Sequence, residues 1–200
     1  MSLLRTPAHI SEHIRMDAKR VYLRPPLPGD YEPWAALREA SRDFLVPWEP
    51  RWPADDLSRP AYRRRIKRYA QEMREETGYA LFIFRQEDAA LIGGLNLSNV
   101  QRGVSQSCSL GYWMGQAFAG QGYMREAVKA VLPFVFAELG LHRLEAACVP
   151  HNEPSKAVLR KTGFQEEGLA RRYLRINGVW ADHLLFAMLD SDLAARKPKL

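Results

Sequence analysis

The sequence has few of the features that mark secreted, metal-binding or membrane proteins. It contains two cysteines, Cys108 and Cys148, with no CxxC spacing and no neighbouring histidine cluster, which argues against a disulfide framework and against a zinc site. No apolar run approaches the roughly 18 residues of a membrane span. His9, Glu12 and His13 stand where a signal peptide would need an apolar core. We therefore expect a cytoplasmic protein that binds neither a metal nor a membrane.

The chain also lacks internal repeats, low-complexity tracts and any linker that would divide it. Its 200 residues suit a single domain, which at this length buries roughly 70% of the surface that the unfolded chain exposes. We expect an amino-terminal arm over residues 1–18, one folded domain over residues 19–190 and a carboxyl-terminal tail over residues 191–200. Nothing in the sequence specifies an oligomeric state.

Hydrophobic periodicity predicts strands and helices in the order β-α-α-β-β-β-α-β-α-β-β. Asp30 is expected to cap the first helix, and Ser58 to begin the second after a long loop from Phe44 to Pro60. Asn177-Gly178 predicts a tight turn between the last two strands. The order combines antiparallel meanders with one crossover, so the expected class is α/β (α+β mixed), with a central mixed, mostly antiparallel sheet flanked by helices.

A glycine-rich segment joins a predicted strand to a predicted helix. Gly115, Gly120 and Gly122 follow the strand, and helical periodicity then runs from Gly122 to Leu139, with Pro133 inside it. Glycines at the start of a helix leave backbone N–H groups unpaired, with the positive end of the helix dipole behind them. Such a loop is suited to binding a phosphate group.

Several segments around this loop resemble the GNAT superfamily of N-acetyltransferases. They are Gly111-Tyr112-Trp113-Met114, Gly120-Gln121-Gly122-Tyr123-Met124, His151-Asn152-Glu153-Pro154-Ser155 and Thr162-Gly163-Phe164. Three further segments, Phe44–Pro50, Ser98–Gly103 and Asn177–His183, resemble the ribosomal-protein-alanine N-acetyltransferases of the RimJ and RimL type, with RimJ the nearer branch. The resemblance covers about residues 19–190 and implies a GNAT-like fold in which two parallel strands splay apart.

The resemblance implies that acetyl-CoA is the co-substrate, with no metal or second cofactor. The backbone amides that would hold its pyrophosphate belong to Ala119, Gly120, Gln121, Gly122, Tyr123 and Met124. Gly122 matches the family's phosphate-binding pattern, whereas Ala119 and Met124 depart from it. The missing side chain at Ala119 matters little if backbone amides do the binding.

The pantetheine arm would lie between the splayed strands. The resemblance places it against the exposed edge formed by Trp113 and Met114, where an amide could also stabilise the tetrahedral oxyanion. Asn152 and Ser155, from the start of the following helix, would be its polar contacts. An asparagine in this position is also an ordinary helix cap, and both interpretations can hold together.

Acetyl transfer must remove a proton from the acceptor amine and deliver one to the departing thiolate. A thiol has a pKa of about 8.5, so the leaving group needs only modest help, and the resemblance offers Ser155 for it. For the base, the resemblance favours Glu49 in the tryptophan-rich loop, with Asp182 on the last hairpin as second choice. Ser155, Glu49 and Asp182 could each also have a purely structural role, and water could serve as the base.

The chain is basic, with a net charge of +6 and a pI of about 9.5. Its densest basic run, Arg63-Arg64-Arg65-Ile66-Lys67-Arg68, lies on a predicted helix. Two interpretations stay open for this run: a solvated helix face, or a docking patch for RNA or a ribosomal surface, which would show salt-sensitive binding.

The resemblance thus implies an N-acetyltransferase that transfers an acetyl group to a protein α-amino group, such as the amino-terminal alanine of a ribosomal protein, by direct attack on the thioester. One rival is a GNAT enzyme that acts on a small amine such as a polyamine, an amino acid or a toxin. Another is a non-catalytic acyl-CoA-binding or RNA-associated module. Turnover of acetyl-CoA with a panel of acceptors separates the three.

Overall fold

A computed structural model of the chain describes residues 14–194, which contain one eight-stranded sheet. The strands are β1 (Met16–Asp17), β2 (Val21–Arg24), β3 (Tyr79–Arg85), β4 (Leu91–Gln101), β5 (Ser107–Met114), β6 (Arg143–Cys148), β7 (Gln165–Ile176) and β8 (Val179–Leu189). Their spatial order is β1-β2-β3-β4-β5-β6-β8-β7, and β5–β6 is the one parallel pair of this sheet. The expected mixed, mostly antiparallel sheet is thereby confirmed.

Six α-helices lie between or after these strands within the described residues. They are α1 (Tyr31–Ala40), α2 (Arg42–Leu45), α3 (Arg59–Arg74), α4 (Tyr123–Pro133), α5 (Glu153–Thr162) and α6 (Asp190–Ala194). Short 3₁₀ turns cover Pro28–Asp30, Val46–Trp48 and Gln116–Phe118. The predicted strands and helices are all present, and the structure adds β1, α2 and α6 to them.

Both faces of the sheet carry helices. The larger buried cluster packs α4 and α5 against one face, through residues such as Val128, Val131 and Leu159. The smaller cluster packs α1 and α3 against the other face, through Trp34 and Tyr62. Because β3 is covered on both sides, its sequence YALFIFR is an almost continuous apolar run rather than an alternating one.

Four expectations about local structure need correction. The segment from Phe44 to Pro60 is not a continuous loop, since α2 ends in it and a 3₁₀ turn follows over Val46–Trp48. Asp30 precedes α1 but its carboxylate does not cap that helix; it accepts from Arg24 and from the Leu27 N–H instead. By contrast, Ser58 caps α3 as predicted, its hydroxyl accepting from the Ala61 N–H at 3.2 Å.

The other two corrections concern the ends of the predicted domain. Met16–Asp17 pairs with β2 and so belongs to the sheet rather than to an arm, and α6 continues the chain to Ala194. Residues 1–13 of the expected arm, including His9, Glu12 and His13, and the last six residues of the expected tail lie outside the described residues.

The long predicted helix changes its geometry at proline. It begins at Tyr123 and is α-helical as far as Pro133, after which a wider π-helical turn covers Phe134–Glu138. In that turn the Leu139 N–H donates to the Phe134 carbonyl at 2.8 Å. Pro133 has no N–H to donate to the preceding turn, and the wider turn starts directly after it.

Two leucines four residues apart, one in the sheet core and one exposed, should contribute very differently to stability. Leu23 is 0% exposed in β2, whereas Leu27 is 51% exposed. We expect Leu23→Ala to lower the free energy of unfolding by about 2–5 kcal/mol, because it removes buried apolar contacts and leaves a cavity. Leu27→Ala should change it by about 0.5 kcal/mol or less. Urea unfolding followed by circular dichroism measures both, and equal losses would contradict the packing described here.

Candidate active site

The glycine loop after β5 ends in a residue with left-handed backbone geometry. Gly120 has a φ of +75° and Gly122 a φ of +85°, a conformation that favours glycine over residues with a side chain. Gly122 is the N-cap residue of α4, which begins at Tyr123. The loop therefore folds as a strand-to-helix connection, as its sequence predicts.

The loop leaves a row of backbone N–H groups without a protein acceptor. Within residues 14–194, the amides of residues 120–122 donate no hydrogen bond to the protein, and those of Tyr123 and Met124 belong to the first helical turn, where intrahelical acceptors are missing. The Ala119 amide differs, because it donates to the Gln116 carbonyl at 3.2 Å. Five consecutive amides at the positive end of a helix can hold a phosphate.

Two of the expected site residues offer only their backbone amides to a ligand. The side chains of Tyr123 and Met124 are buried in the larger core cluster, so they fix the start of α4 rather than reach a ligand. The side chain of Gln121 also stays within the loop, its Nε2 donating to the Ala117 carbonyl at 2.9 Å.

Arg20, which the sequence analysis did not single out, ties this loop to α4. Its Nη2 donates to the Gln121 carbonyl at 3.1 Å, and its Nε donates to Oε1 of Glu126 at 2.6 Å. The guanidinium carbon lies 4.6 Å from the centre of the Tyr123 ring. The contact with Gln121 joins residues 101 positions apart, and no local sequence pattern signals it.

Beside the loop, the two parallel strands separate. Their register ends at the pair Leu110↔Ala146, although β5 continues to Met114 and β6 to Cys148. The last residues of β5 pair only with β4, where Met114 lies opposite Gly93. A strand edge without a neighbour can accept another extended chain. The splayed strands implied by the resemblance are therefore present, and Trp113 and Met114 lie on the open edge of β5.

Tyr112 on β5 and Ser155 in the first turn of α5 form a hydroxyl pair. Their oxygens are 2.8 Å apart, and the Tyr112 hydroxyl also lies 3.3 Å from the Ser155 carbonyl. Burial raises the pKa of Tyr112 above its ordinary value, so the phenol stays protonated. Asn152 caps α5, with Oδ1 accepting from the Ser155 N–H at 3.1 Å. Tyr112 was not among the expected site residues, although it lies inside the family-like segment Gly111-Tyr112-Trp113-Met114.

Glu49 lies in a compact cluster of charged and aromatic groups. Its two carboxylate oxygens accept from Nη1 and Nη2 of Arg38 at 2.9 and 2.6 Å, and Oε2 also accepts from the Trp52 indole at 2.7 Å. The Arg38 guanidinium is 4.2 Å from the Trp52 ring centre and 4.9 Å from that of Trp113. Both oxygens of Glu49 thus hold the tryptophan-rich loop against α1 and β5.

The hairpin of β7 and β8 touches the same loop. The Asn177 N–H, in the turn of that hairpin, donates to the Glu49 carbonyl at 2.8 Å. Asp182 lies further along β8, where its Oδ1 accepts from the Arg172 N–H at 2.8 Å, at an irregular part of the β7–β8 register. The structure therefore brings Glu49 near the open edge of β5, whereas Asp182 supports the hairpin backbone.

A cleft of about 620 Å³ runs along the sheet face that carries α1 and α3. We call it the sheet cleft. It extends from Glu49 and Trp113 on one side to Tyr173 on β7 on the other. Its floor is polar for a sheet surface and is made by Asn96, Ser98, Ser109, Arg143 and Glu145. The glycine loop, the strand gap and the sheet cleft together form one candidate active site.

The basic run on α3 is partly neutralised. Arg64 pairs with Asp55 at 2.6 Å, Arg65 with Asp56 at 2.6 Å, and Arg68 with Glu72 at 3.3 Å. In the part of the chain that the structure describes, Arg63 and Lys67 form no ion pair. This weakens the docking interpretation of the run, which stays a prediction.

The described residues contain neither a cluster of metal ligands nor a helix suited to spanning a membrane. Between residues 14 and 194, no group of three or more His, Cys, Asp or Glu side chains is placed to hold a metal ion. None of the helices described there is both long and apolar enough to cross a bilayer.

Known proteins resemble this chain over most of its length. The family model for the acetyltransferase (GNAT) domain matches residues 20–165. The probable N-acetyltransferase YjcK of Bacillus subtilis is 37% identical over 177 residues, covering 88% of this chain and 98% of its own length. The ribosomal protein uS5-alanine N-acetyltransferase of Escherichia coli is 33% identical over 181 residues, covering 90% of this chain and 92% of its own length.

A solved structure extends the comparison to the cofactor. Mycobacterium smegmatis RimJ in complex with CoA-disulfide superposes with a TM-score of 0.80 at 33% identity, covering 88% of each chain. The amide-rich loop at the start of α4 suits the phosphate groups of such a ligand. The chain therefore belongs to the GNAT family of N-acetyltransferases and uses acetyl-CoA as its co-substrate.

Proposed function

We propose that this enzyme acetylates the amino-terminal α-amine of a protein, with the amino-terminal alanine of a ribosomal protein as the leading acceptor. The observation that carries the proposal is the sheet cleft, which meets the open edge of β5 at Trp113 and so gives an extended chain end access to the thioester. The relative from Escherichia coli, named for its action on the alanine of ribosomal protein uS5, supports it. Such an acceptor places the enzyme in the cytoplasm.

We assign the parts of acetyl-CoA to the three parts of the site. The pyrophosphate binds the amides of residues 120–124, which have no protein acceptor. The pantetheine arm lies along the open edge of β5 and contacts Asn152, whose Oδ1 caps α5 and whose Nδ2 is a hydrogen-bond donor. An amide at Trp113 or Met114 bonds the thioester carbonyl and stabilises the oxyanion that forms as the amine attacks.

We assign protonation of the departing thiolate to Ser155. The amine nitrogen forms its bond to the carbonyl carbon and releases one proton to water, the carbon–sulfur bond breaks, and the sulfur takes a proton from the Ser155 hydroxyl. Tyr112, 2.8 Å from that hydroxyl, is a protonated phenol that can return a proton to it. Because a thiolate leaves readily, this assistance is modest.

Neither of the two acids expected to serve as base is assigned that role. Glu49 uses both oxygens on Arg38 and Trp52, and Asp182 accepts from the Arg172 backbone. Their contacts suit them to holding the tryptophan-rich loop and the hairpin in position.

Gly122→Val tests the phosphate site. A side chain at φ +85° is strained, and its Cβ would lie 3.3 Å from Nη2 of Arg20. We expect CoA binding to weaken by about 2–4 kcal/mol in calorimetry, through displaced amides and lost charge-assisted hydrogen bonds. Gly103→Val is the matched control, because Gly103 also has a positive φ of +64° but has no neighbour within 4 Å of its would-be Cβ. Unchanged affinity in a folded Gly122→Val protein would move the phosphate site elsewhere.

Ser155→Ala tests the proton donor. We expect kcat to fall by at most about a hundredfold, the low end for general acid catalysis, while acetyl-CoA affinity stays nearly constant. Tyr112→Phe keeps the serine hydroxyl and should cost less than Ser155→Ala. Steady-state kinetics with saturating acetyl-CoA measures both, and an unaltered kcat in Ser155→Ala would leave water as the donor.

The nature of the acceptor amine is tested with one peptide that begins with alanine and contains an internal lysine. At pH 7 about a tenth to a fifth of an α-amine is the free nucleophile, but only about 0.04% of a lysine with a pKa of about 10.4. We expect the acetyl group at the α-amine alone, with a rate that rises with pH and levels off near pH 8. Tandem mass spectrometry locates the acetyl group, and a peptide with a blocked amino terminus is the control.

Two outcomes would replace the proposal. An acetyl group on the lysine would make the enzyme lysine-directed. Turnover of polyamines or amino acids, with none of any α-amine peptide, would favour the small-amine function.

A further inference from the structure

Asn96 is an exposed carboxamide in the middle of a central strand. Its neighbours in β4, Leu95 and Leu97, belong to the larger buried cluster that includes α4 and α5, and side chains alternate between the two faces of a strand. Asn96 therefore points to the other face, where it lines the sheet cleft. Within residues 14–194 its side chain forms no hydrogen bond with the protein. Both its donor and its acceptor are thus available to a ligand in the cleft.

A glycine on the neighbouring strand makes room for this carboxamide. Gly111 of β5 lies opposite Asn96, and a Cβ on Gly111 would come within 2.7 Å of Oδ1 of Asn96. The Trp113 indole leans the opposite way, across Gly94 of β4, where a side chain would clash with its Nε1. The carboxamide of Asn96 consequently lies over the backbone of β5 itself.

Gly111 is the first residue of the open edge of β5. The last paired residues of the two parallel strands are Leu110 and Ala146, so Asn96 lies over β5 at the point where the strand gap begins. Trp113, where the proposed function places the thioester, is two residues further along, about 7 Å in an extended strand. Two residues of an extended acceptor chain span the same length. An acceptor with its amine at the thioester and its chain running back along β5 brings its first or second peptide bond to Asn96.

The chemistry of the cleft floor suits a peptide backbone. A carboxamide has an N–H donor and a carbonyl acceptor side by side, and these complement the carbonyl and the N–H of a peptide bond. Two residues further from the thioester, Ser98 and Ser109 lie opposite each other on the same face and add hydroxyls that can donate and accept. The cleft volume of about 620 Å³ is in the range of sites that enclose a drug-sized ligand. The cleft therefore has room for several atoms of the chain that follows the amine.

We propose that Asn96 binds a peptide bond of the acceptor and so selects peptides over simple amines; the inference rests on the proposed function. Nδ2 donates to the carbonyl oxygen of that peptide bond, and Oδ1 accepts from its N–H. The two hydrogen bonds hold the acceptor chain along β5 with its α-amine at the thioester. A polyamine has no amide and gains nothing from this contact.

Asn96→Ala tests the inference in steady-state kinetics with the alanine peptide. Two neutral hydrogen bonds are lost, so we expect kcat/KM to fall by about tenfold, mainly through a higher KM for the peptide. The KM for acetyl-CoA should stay unchanged. Gln101→Ala is the matched control, because Gln101 is an exposed carboxamide on the same strand and lies outside the sheet cleft. Its kcat/KM should match that of the unaltered enzyme.

Two ester analogues of the peptide locate the contact. In one the first peptide bond, and in the other the second, is replaced by an ester, which keeps the carbonyl but has no N–H. We expect one analogue to lose about fivefold in kcat/KM with the unaltered enzyme and to lose nothing further with Asn96→Ala. The ester also changes the pKa of the amine, but it does so equally for both enzymes, so comparing their losses cancels that effect.

Three results would overturn the inference. They are an unchanged kcat/KM in Asn96→Ala, the same loss in Gln101→Ala, and an ester penalty that is equal in the unaltered enzyme and in Asn96→Ala for both analogues. Each of them leaves the proposed function intact, because the unaltered enzyme still acetylates the peptide. If the unaltered enzyme acetylates no peptide at all, the proposed function fails and the inference fails with it.

Discussion

The separation of β5 from β6 beyond Leu110 and Ala146 is the constraint on which the rest of the site depends. Each strand keeps its other neighbour: β5 remains paired with β4 through Met114, and β6 with β8 through Cys148. Both therefore stay extended while the edge between them opens. An open edge in the middle of a sheet would ordinarily invite wrong pairing. Here the open edge lies beside a loop whose backbone amides have no protein acceptor within the described residues. One elongated cofactor can therefore pair with the edge and with the amides at the same time.

The acceptor side of this gap is held by one partly buried ion pair. Arg38 is 6% exposed, and a buried charge is tolerated when it is paired and hydrogen-bonded. Glu49 provides that pairing, and through its carbonyl it also holds the hairpin turn at Asn177. The same guanidinium lies over the ring of Trp113 on the open edge of β5. Arg38 and Glu49 thus hold the tryptophan-rich loop, the hairpin turn and the end of β5 together at the mouth of the sheet cleft.

The arginines beside the glycine loop and in the sheet cleft are both paired with carboxylates. The chain carries a net charge of +6, which favours an acidic cofactor, yet the proposed phosphate site consists mainly of backbone amides. Arg20 beside it is paired with Glu126 and so positions the loop. In the cleft, the positive charge of Arg143 is shared between Glu145 and Glu167.

The sequence by itself determined the strands and helices, the crossover and the glycine loop, because periodicity, capping residues such as Ser58, and glycines with positive φ act over a few neighbouring positions. It also determined the family, through segments such as Gly120-Gln121-Gly122 and His151-Asn152. Tertiary structure alone decided which side chains meet. Arg20 reaches a residue 101 positions away, and Arg38 uses up the oxygens of Glu49. These contacts depend on strand register and helix packing, which no local pattern encodes.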